Sequence, residues 1–233
     1  MVSAGGNLPT NFGQRLMQRE QMLRQMRPPV APLNTVAPTT QDIAVVMCGG
    51  GDPFAEWEIV KAMCERACKK ISIFAGNDMI EMFPGDIAHA ISLHPDKFKL
   101  WLPRRKAAGF NDPPKVWAHR NYEGAVTHWT RDWSGSTGLF CIKVARENGF
   151  VHIVTCGVHM NVDSDHFIRK QPWNAASSFR RGWVGRMPEL RPYLRSMGGW
   201  TQEQFGAPTE DWLRTDIEDQ HRTNRHFNGG LKA

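Results

Sequence analysis

Hydrophobic positions between residues 43 and 156 form short runs that alternate with amphipathic stretches. The amphipathic stretches predict helices at 54–69, 78–83, 95–108 and 137–148. The apolar runs predict strands at 43–48, 71–75, 88–93, 115–119 and 151–156. Such alternation is typical of parallel α/β units, in which each helix connects neighbouring strands by a right-handed crossover. The pattern predicts an α/β fold with a Rossmann-like, mostly parallel sheet of about five strands flanked by helices.

The two ends of the chain lack this alternation. Residues 1–40 are rich in Gln, Arg, Met and Pro, and prolines after Arg27 break any continuous helix, so an extended arm is expected there. After Asp165 the strand signals stop, and spaced aromatic residues indicate small helices packed on the sheet. The predicted parts are an arm (1–40), a Rossmann-like nucleotide-binding domain (41–170), an aromatic-rich helical extension (171–213) and a polar tail (214–233).

Composition narrows the class of protein. With 233 residues, of which 41% are apolar, the chain can build a core, which excludes a disordered or fibrous protein. No apolar run approaches ~18 residues and the start lacks the order of a signal peptide, so a soluble, intracellular protein without membrane contact is expected. The five cysteines lie mostly in apolar runs, which favours reduced thiols over a disulfide framework.

The net charge of +6 favours a partner that carries phosphate. Two basic clusters contribute, although each also fits a solvated helix face. Nine tryptophans could stack on nucleic acid, but they are scattered, which favours core or subunit-contact positions. The clusters are Lys97, Lys99, Arg104, Arg105 and Lys106, and Arg180, Arg181, Arg186, Arg191 and Arg195.

A turn of three glycines, Gly49, Gly50 and Gly51, follows the first predicted strand. Glycine lets backbone amides approach a phosphate or sugar without interference from a Cβ atom. The turn matches neither the dinucleotide fingerprint nor a P-loop with its lysine, so a tight connection between strand and helix explains it equally well.

Polar residues follow three further predicted strands. The second strand ends at Asn77 and the third at His94. Ser136, Thr137 and Gly138 come after the fourth strand and open the helix that precedes the last one. Because the carboxyl ends of parallel strands meet at one edge, we expect a ligand site there. His159, Asp163, Asp165 and His166 could supply a base or metal ligands, although an Asp-rich solvated loop is the simpler interpretation.

Three stretches carry a resemblance to a known group: IAVVMCGGGDPF, the second strand with Asn77, and GSTGLFCIKVARENGFVHIVTCGVHM. They resemble the MptE-like Rossmann proteins and the related small bacterial sialyltransferases over about residues 43–166. The downstream stretches FRRGW and RSMGGWTQEQFGAPTEDWL are similar to proteins encoded by tailed phages and prophages.

The resemblance implies a nucleotide-recognising fold with its ligand across Gly49–Gly51, Asn77 and Ser136–Gly138. Sialyltransferases of this kind hold a cytidine nucleotide sugar and use a His in a later lid as base. MptE-like enzymes transfer diphosphate from ATP to a pterin alcohol. The chain has only two tyrosines and so lacks the tyrosine-rich lid, and no histidine here aligns with a family base.

These observations lead to two main hypotheses. The first is a nucleotide- or nucleotide-sugar-dependent transferase of phage type, with His94 or His159 as base, Arg104 or Arg105 as a clamp on the leaving group, and Mg²⁺ as an optional companion ion. The second is a virion or assembly protein that grips neighbouring copies or phage partners through residues 1–40. A third, weaker hypothesis is nucleic-acid association. The host cytoplasm or the virion is the expected location.

Overall fold

The computed structural model describes residues 42–162, 166–167 and 173–217, so the predicted arm and most of the tail lie outside the described residues. The strands are β1 Asp42–Met47, β2 Lys70–Gly76, β3 His89–Ser92, β4 Lys115–Ala118, β5 His128–Trp129, β6 Ile153–Cys156 and β7 Leu194–Ser196. The helices are α1 Pro53–Arg66, α2 Met79–Met82, α3 Phe98–Ala107, α4 Thr137–Glu147, α5 Ala176–Val184, α6 Met187–Leu190, α7 Gly199–Phe205 and α8 Glu210–Arg214. A 3₁₀ turn, Pro95–Lys97, precedes α3.

The strands form one parallel sheet in the order β5-β4-β3-β2-β1-β6-β7. The first five strands pair in sequence order, each with the next. Helix α4 then carries the chain back to β6, which pairs with β1 on its free side, with Met47 aligned to both Ala75 and Cys156. The expectation that every helix joins neighbouring strands is therefore wrong for α4. The reversal creates a topological switch point between β1 and β6.

The α/β class and the parallel sheet are confirmed, but the count of about five strands is wrong because the described residues form seven. The two missed strands are β5, with two residues, and β7, with three. They are the edge strands, paired on one side only. Segments this short carry no periodic signal, so only pairing with a neighbouring strand identifies them.

Alternate residues of β1 supply two separate cores. Ile43, Val45 and Met47 pack on the side of α1, whereas Ala44 and Val46 pack on the side of α4. Helix α4 is buried at every position from Thr137 to Ala145. A helix apolar on nearly all sides fits here because the sheet lies against one side and the carboxyl-terminal helices against the other.

Stacked arginines connect the carboxyl-terminal elements with one another and, through Trp133, with the loop before α4. The guanidinium carbons of Arg180, Arg186 and Arg195 lie 4.7–5.1 Å from tryptophan ring centroids, at Trp200, Trp133 and Trp212 respectively. These three tryptophans lie in different parts of the fold, so this basic cluster is not one continuous face. Such stacking contributes on the order of 0.5–2 kcal/mol per pair.

The other basic cluster is also divided. Arg105 is fully buried, and its guanidinium donates to the carbonyl oxygens of Asn111 (2.8 Å), Phe83 (3.0 Å), Ile80 and Gly85. Arg105 therefore joins loops of the domain and is not available to a ligand. Arg104 is exposed and pairs with Glu81 at 3.5 Å. Within the described residues, these two clusters therefore do not form one continuous basic surface.

All five cysteines are free thiols, as the pattern of the sequence predicts. Burial raises the pKa of Cys141 and of Cys156, and it raises the pKa of Cys64 to about 11. These thiols are therefore inert at neutral pH. Among the described residues, no helix has both the length and the apolar character needed to cross a bilayer.

Candidate functional site

The loops that leave β1 and β6 continue to pair beyond the strands. Cys48 N donates to Cys156 O at 2.9 Å, and Gly50 N donates to Gly157 O at 2.8 Å. Gly157 has φ +68°, and a Cβ atom there would lie 2.0 Å from Cys48 O. Glycine at 157 is therefore required by this close approach, and one amide of the predicted phosphate turn already has a protein partner.

A carboxylate and an imidazole meet at this switch point. Glu56, in the first turn of α1, accepts a hydrogen bond from Gly157 N at 2.8 Å and contacts Nε2 of His159 with its other oxygen. Both side chains are largely buried, with 13% and 16% of their surface exposed. The carboxylate favours the tautomer with hydrogen on Nε2, which leaves a lone pair on Nδ1.

The imidazole of His159 lies directly against the glycine turn. A Cβ atom on Gly51 would lie 2.0 Å from Cε1 of His159, and Gly51 itself has φ +64°. The helix that follows is capped by Asp52, whose Oδ1 accepts from Ala55 N at 3.1 Å. The glycines thus make room for the histidine as well as turning the chain into α1.

A second imidazole flanks the turn from the other end. A Cβ atom on Gly49 would lie 2.5 Å from Nε2 of His166, and Phe167 N donates to Gly49 O at 2.9 Å. Nε2 of His166 is 3.5 Å from Oδ2 of Asp78, whose Oδ1 accepts from Trp101 Nε1 at 3.1 Å. Two carboxylate–imidazole pairs therefore flank Gly49–Gly51. The candidates Asp163 and Asp165 lie outside the described residues.

Asn77 forms the second polar group at this edge. Its Oδ1 accepts hydrogen bonds from the hydroxyls of Ser92 (2.8 Å) and Thr137 (3.2 Å), which connects the ends of β2 and β3 with the start of α4. Asn77 has φ +54°, a left-handed conformation that asparagine tolerates better than most residues. Within the described ranges, its Nδ2 donates no hydrogen bond and remains available.

The other predicted residues of α4 have packing roles in addition. Ser136 caps the helix by accepting from Leu139 N, and its hydroxyl also accepts from Trp183 Nε1 at 3.2 Å. Gly138 packs against Val158, because a Cβ atom there would lie 2.7 Å from a Val158 methyl. Because Ser136 already occupies the amide of Leu139, the amides that could receive an anion at the start of α4 are those of Thr137 and Gly138.

Gly76, the last residue of β2, is tightly surrounded. A Cβ atom there would lie 2.8 Å from Sγ of Cys48, 3.2 Å from Sγ of Cys141 and 3.4 Å from Cγ2 of Thr137. The end of β2 therefore packs against the residue before the glycine turn and against the first turn of α4. Cys48 forms a thiol hydrogen bond with buried Cys141.

His94 lies apart from His159. It is exposed, it begins the 3₁₀ turn after β3, and its backbone N–H donates to Ser92 Oγ at 2.9 Å. Its neighbour His119, at the end of β4, has a pKa lowered first by burial and then by Arg120. Of the two predicted bases, only His159 is oriented by a carboxylate.

Sequence reasoning missed Glu56 and Ser92, and it gave no role to Asp78, which follows Asn77 at the end of the second strand. Glu56 and Asp78 are acidic residues in ordinary helix-start positions, so nothing in the sequence separates them from exposed neighbours. Ser92 is the polar last residue of β3 and directly follows apolar Ala90 and Ile91, and that placement was a usable signal. No group of three potential metal-ligating side chains occurs among the residues that the structure describes.

Fold and site together define the class: a doubly wound, Rossmann-like α/β protein with polar side chains gathered at the carboxyl edge of its sheet. Comparison with models of protein families, with curated proteins and with solved structures finds no match to this chain.

Proposed function

We propose that this chain is a transferase that binds a nucleotide or nucleotide sugar at the carboxyl edge and transfers a glycosyl or diphosphate group. The observation that carries the proposal is the Glu56–His159 pair, which lies against the glycine turn at the switch point of the sheet. Ligands of doubly wound sheets bind at this point, and a histidine held by a carboxylate is a recurring general base.

The donor would lie between the glycine turn and α4. The free Nδ2 of Asn77 would donate to the base or sugar, and the first amides of α4 would receive the diphosphate. Thr137 positions Asn77 through its hydroxyl, so it supports binding without touching the donor.

His159 would act on the acceptor. As the acceptor hydroxyl oxygen forms its bond to the anomeric carbon or to phosphorus, the bond from that atom to the leaving phosphate oxygen breaks, and the hydroxyl proton moves to Nδ1 of His159. Glu56 would stabilise the resulting imidazolium through Nε2. The leaving group has no arginine from residue 105, which is buried, so helix amides would have to stabilise its charge.

The resemblance to MptE-like proteins and small sialyltransferases, and an origin in a tailed phage, stand as part of the same proposal. The resemblance implies a nucleotide that lies across Gly49–Gly51, Asn77 and Ser136–Gly138. The choice between glycosyl and diphosphate transfer follows from the donor, which an experiment can identify.

A thermal-shift panel of nucleotides and nucleotide sugars, with and without Mg²⁺, tests donor binding. A ligand that binds only the folded state raises the melting temperature. At a ligand concentration one hundred times Kd, it adds about 2.7 kcal/mol to the free energy of unfolding. We expect one donor class to stabilise the wild type but not Asn77→Ala. The matched control is Asn174→Ala, because Asn174 is exposed before α5.

The base is tested with the donor so identified. His159→Gln and Glu56→Gln should keep donor binding and lose turnover by about 10²-fold or more, whereas His94→Gln should retain it. If no ligand of the panel stabilises well-folded protein, the transferase proposal is wrong. A role in assembly through residues 1–40 would then be the better hypothesis, and it concerns residues outside the described part of the chain.

A further inference from the structure

A groove of about 590 Å³ lies between the loop before α4 and helix α5, away from the glycine turn. One wall is formed by Trp133 and Ser134. The other is one face of α5, because its lining residues follow the helical spacing i, i+3, i+4 and i+7. These residues are Ser178, Arg181, Gly182 and Gly185.

Gly182 closes the base of the groove, whereas Gly185 leaves it open. A Cβ atom on Gly182 would lie 2.2 Å from Ser134 O, so the helix backbone touches the loop and closes the base of the groove. A Cβ atom on Gly185 would have no neighbour nearer than 3.8 Å. The missing side chain at 185 therefore leaves open space beside the arginines.

Two arginines line this space. The guanidinium carbon of Arg186 lies 4.8 Å from the Trp133 ring centroid, and its NH1 is 3.2 Å from Glu189. Stacking on Trp133 restricts the guanidinium before any ligand arrives, which lowers the entropic cost of binding. Arg181 is exposed and forms no ion pair within the described residues. Its positive charge is therefore available to a ligand.

The chemistry favours a phosphate group over a nucleic-acid strand. The Trp133 ring is covered by Arg186, so it is not a free platform for a base. Arg180 and Arg195, which belong to the same cluster in the sequence, stack on other tryptophans and do not line the groove. A local pair of guanidinium groups matches the oxygens of a single phosphate or diphosphate.

We propose that the groove binds the phosphate group of a small phosphorylated molecule, with Arg181 and Arg186 as its ligands. Trp133 is four residues from Thr137, so at most about 14 Å of chain separates the groove from the start of α4. The groove is distinct from the position of His159, which lies against the glycine turn.

Calorimetric titration with inorganic pyrophosphate at low salt tests the site. We expect Arg181→Gln and Arg186→Gln each to raise Kd about tenfold. Gly185→Glu should abolish binding, because it places a carboxylate in open space without a clash. Arg191→Gln is the matched control, since Arg191 is exposed on the same segment but does not line the groove. Melting temperatures verify that each variant is folded.

Equal Kd values for Arg181→Gln, Gly185→Glu and wild type would overturn the proposal, as would the absence of pyrophosphate binding to the wild type. Binding of an oligothymidylate without binding of pyrophosphate would also overturn it, in favour of nucleic acid. Asn77→Ala should keep the binding that depends on Arg181. If no nucleotide of the thermal-shift panel stabilises the protein but pyrophosphate still binds in an Arg181-dependent way, the transferase proposal is rejected. The groove is then nevertheless established as an anion site.

Discussion

The hydroxyl of Thr137 donates a 3.2 Å hydrogen bond to Oδ1 of Asn77, a residue 60 positions earlier in the chain. The bond joins the first turn of α4 to the end of β2, at a Thr137 side chain that is buried. The proposed donor site is built from these two segments, so the bond is part of that site. Its contribution to stability can be measured without any ligand.

Thr137→Val should destabilise the fold by about 1 kcal/mol, because it removes the hydroxyl and keeps the shape. In a double-mutant cycle with Asn77→Ala, the two losses should not add, with a coupling of about 0.5 kcal/mol or more. Urea denaturation measures both. Thr215→Val is the control, since Thr215 bonds to Asp211 on the exposed α8 end, and its loss should be additive with that of Thr137→Val.

Arg105→Met should lower the free energy of unfolding by about 3 kcal/mol or more. The variant leaves several buried carbonyl oxygens without a donor, and each costs about 1–3 kcal/mol. Arg104→Gln, next in the chain but exposed with a single ion pair, should cost less than about 1 kcal/mol. Similar losses in the two variants, measured by urea denaturation, would contradict a structural role for the buried guanidinium.

Gly182→Ala should destabilise the protein although alanine is the better helix former. Its Cβ atom would lie 2.2 Å from Ser134 O, which is backbone and cannot rotate away, so α5 must shift. Gly185→Ala meets nothing nearer than 3.8 Å and has φ −64°, so it should be neutral or stabilising by up to about 1 kcal/mol. Melting temperatures that change in the same direction for both variants would contradict the packing described for α5.

Stability should fall on mild acidification because of two buried histidines. Burial lowers the pKa of His89 from 6.5 to about 3 and the pKa of His152 from 6.5 to about 4. Between those values and pH 6.5 the unfolded chain binds protons that the folded protein does not, so the free energy of unfolding decreases as pH falls. Each histidine lowers the free energy of unfolding by about 1.4 kcal/mol per pH unit until its folded-state pKa is reached.

Urea denaturation from pH 7 to pH 5 measures this slope. His89→Gln should reduce it, because glutamine does not titrate yet can still accept the hydrogen bond that Trp117 Nε1 gives to His89. His94→Gln is the matched control, because it makes the same substitution at an exposed histidine. An identical slope in wild type and His89→Gln would show that His89 protonates in the folded protein.

Local pattern was sufficient for much of the fold. Among the described residues, five of the seven strands and the four helices between them lie within a few residues of their predicted bounds. Each of these elements buries an apolar face that repeats with its own period, which is why the sequence pattern locates it. Gly149, with φ +87°, follows the C-cap of α4, where a left-handed glycine is common. The convergence of Asn77, Ser136 and Thr137 at one edge also followed from the parallel arrangement alone.

Three-dimensional packing decided the rest. The place of β6 beside β1, the edge strands β5 and β7, the burial of Arg105 and the Glu56–His159 pair all depend on contacts between segments far apart in the chain. Hydrophobic periodicity reports which face of an element is buried, but not which neighbour covers it. A charged residue looks the same in sequence whether it is solvated or bonded inside the fold, and only the folded chain supplies its partners.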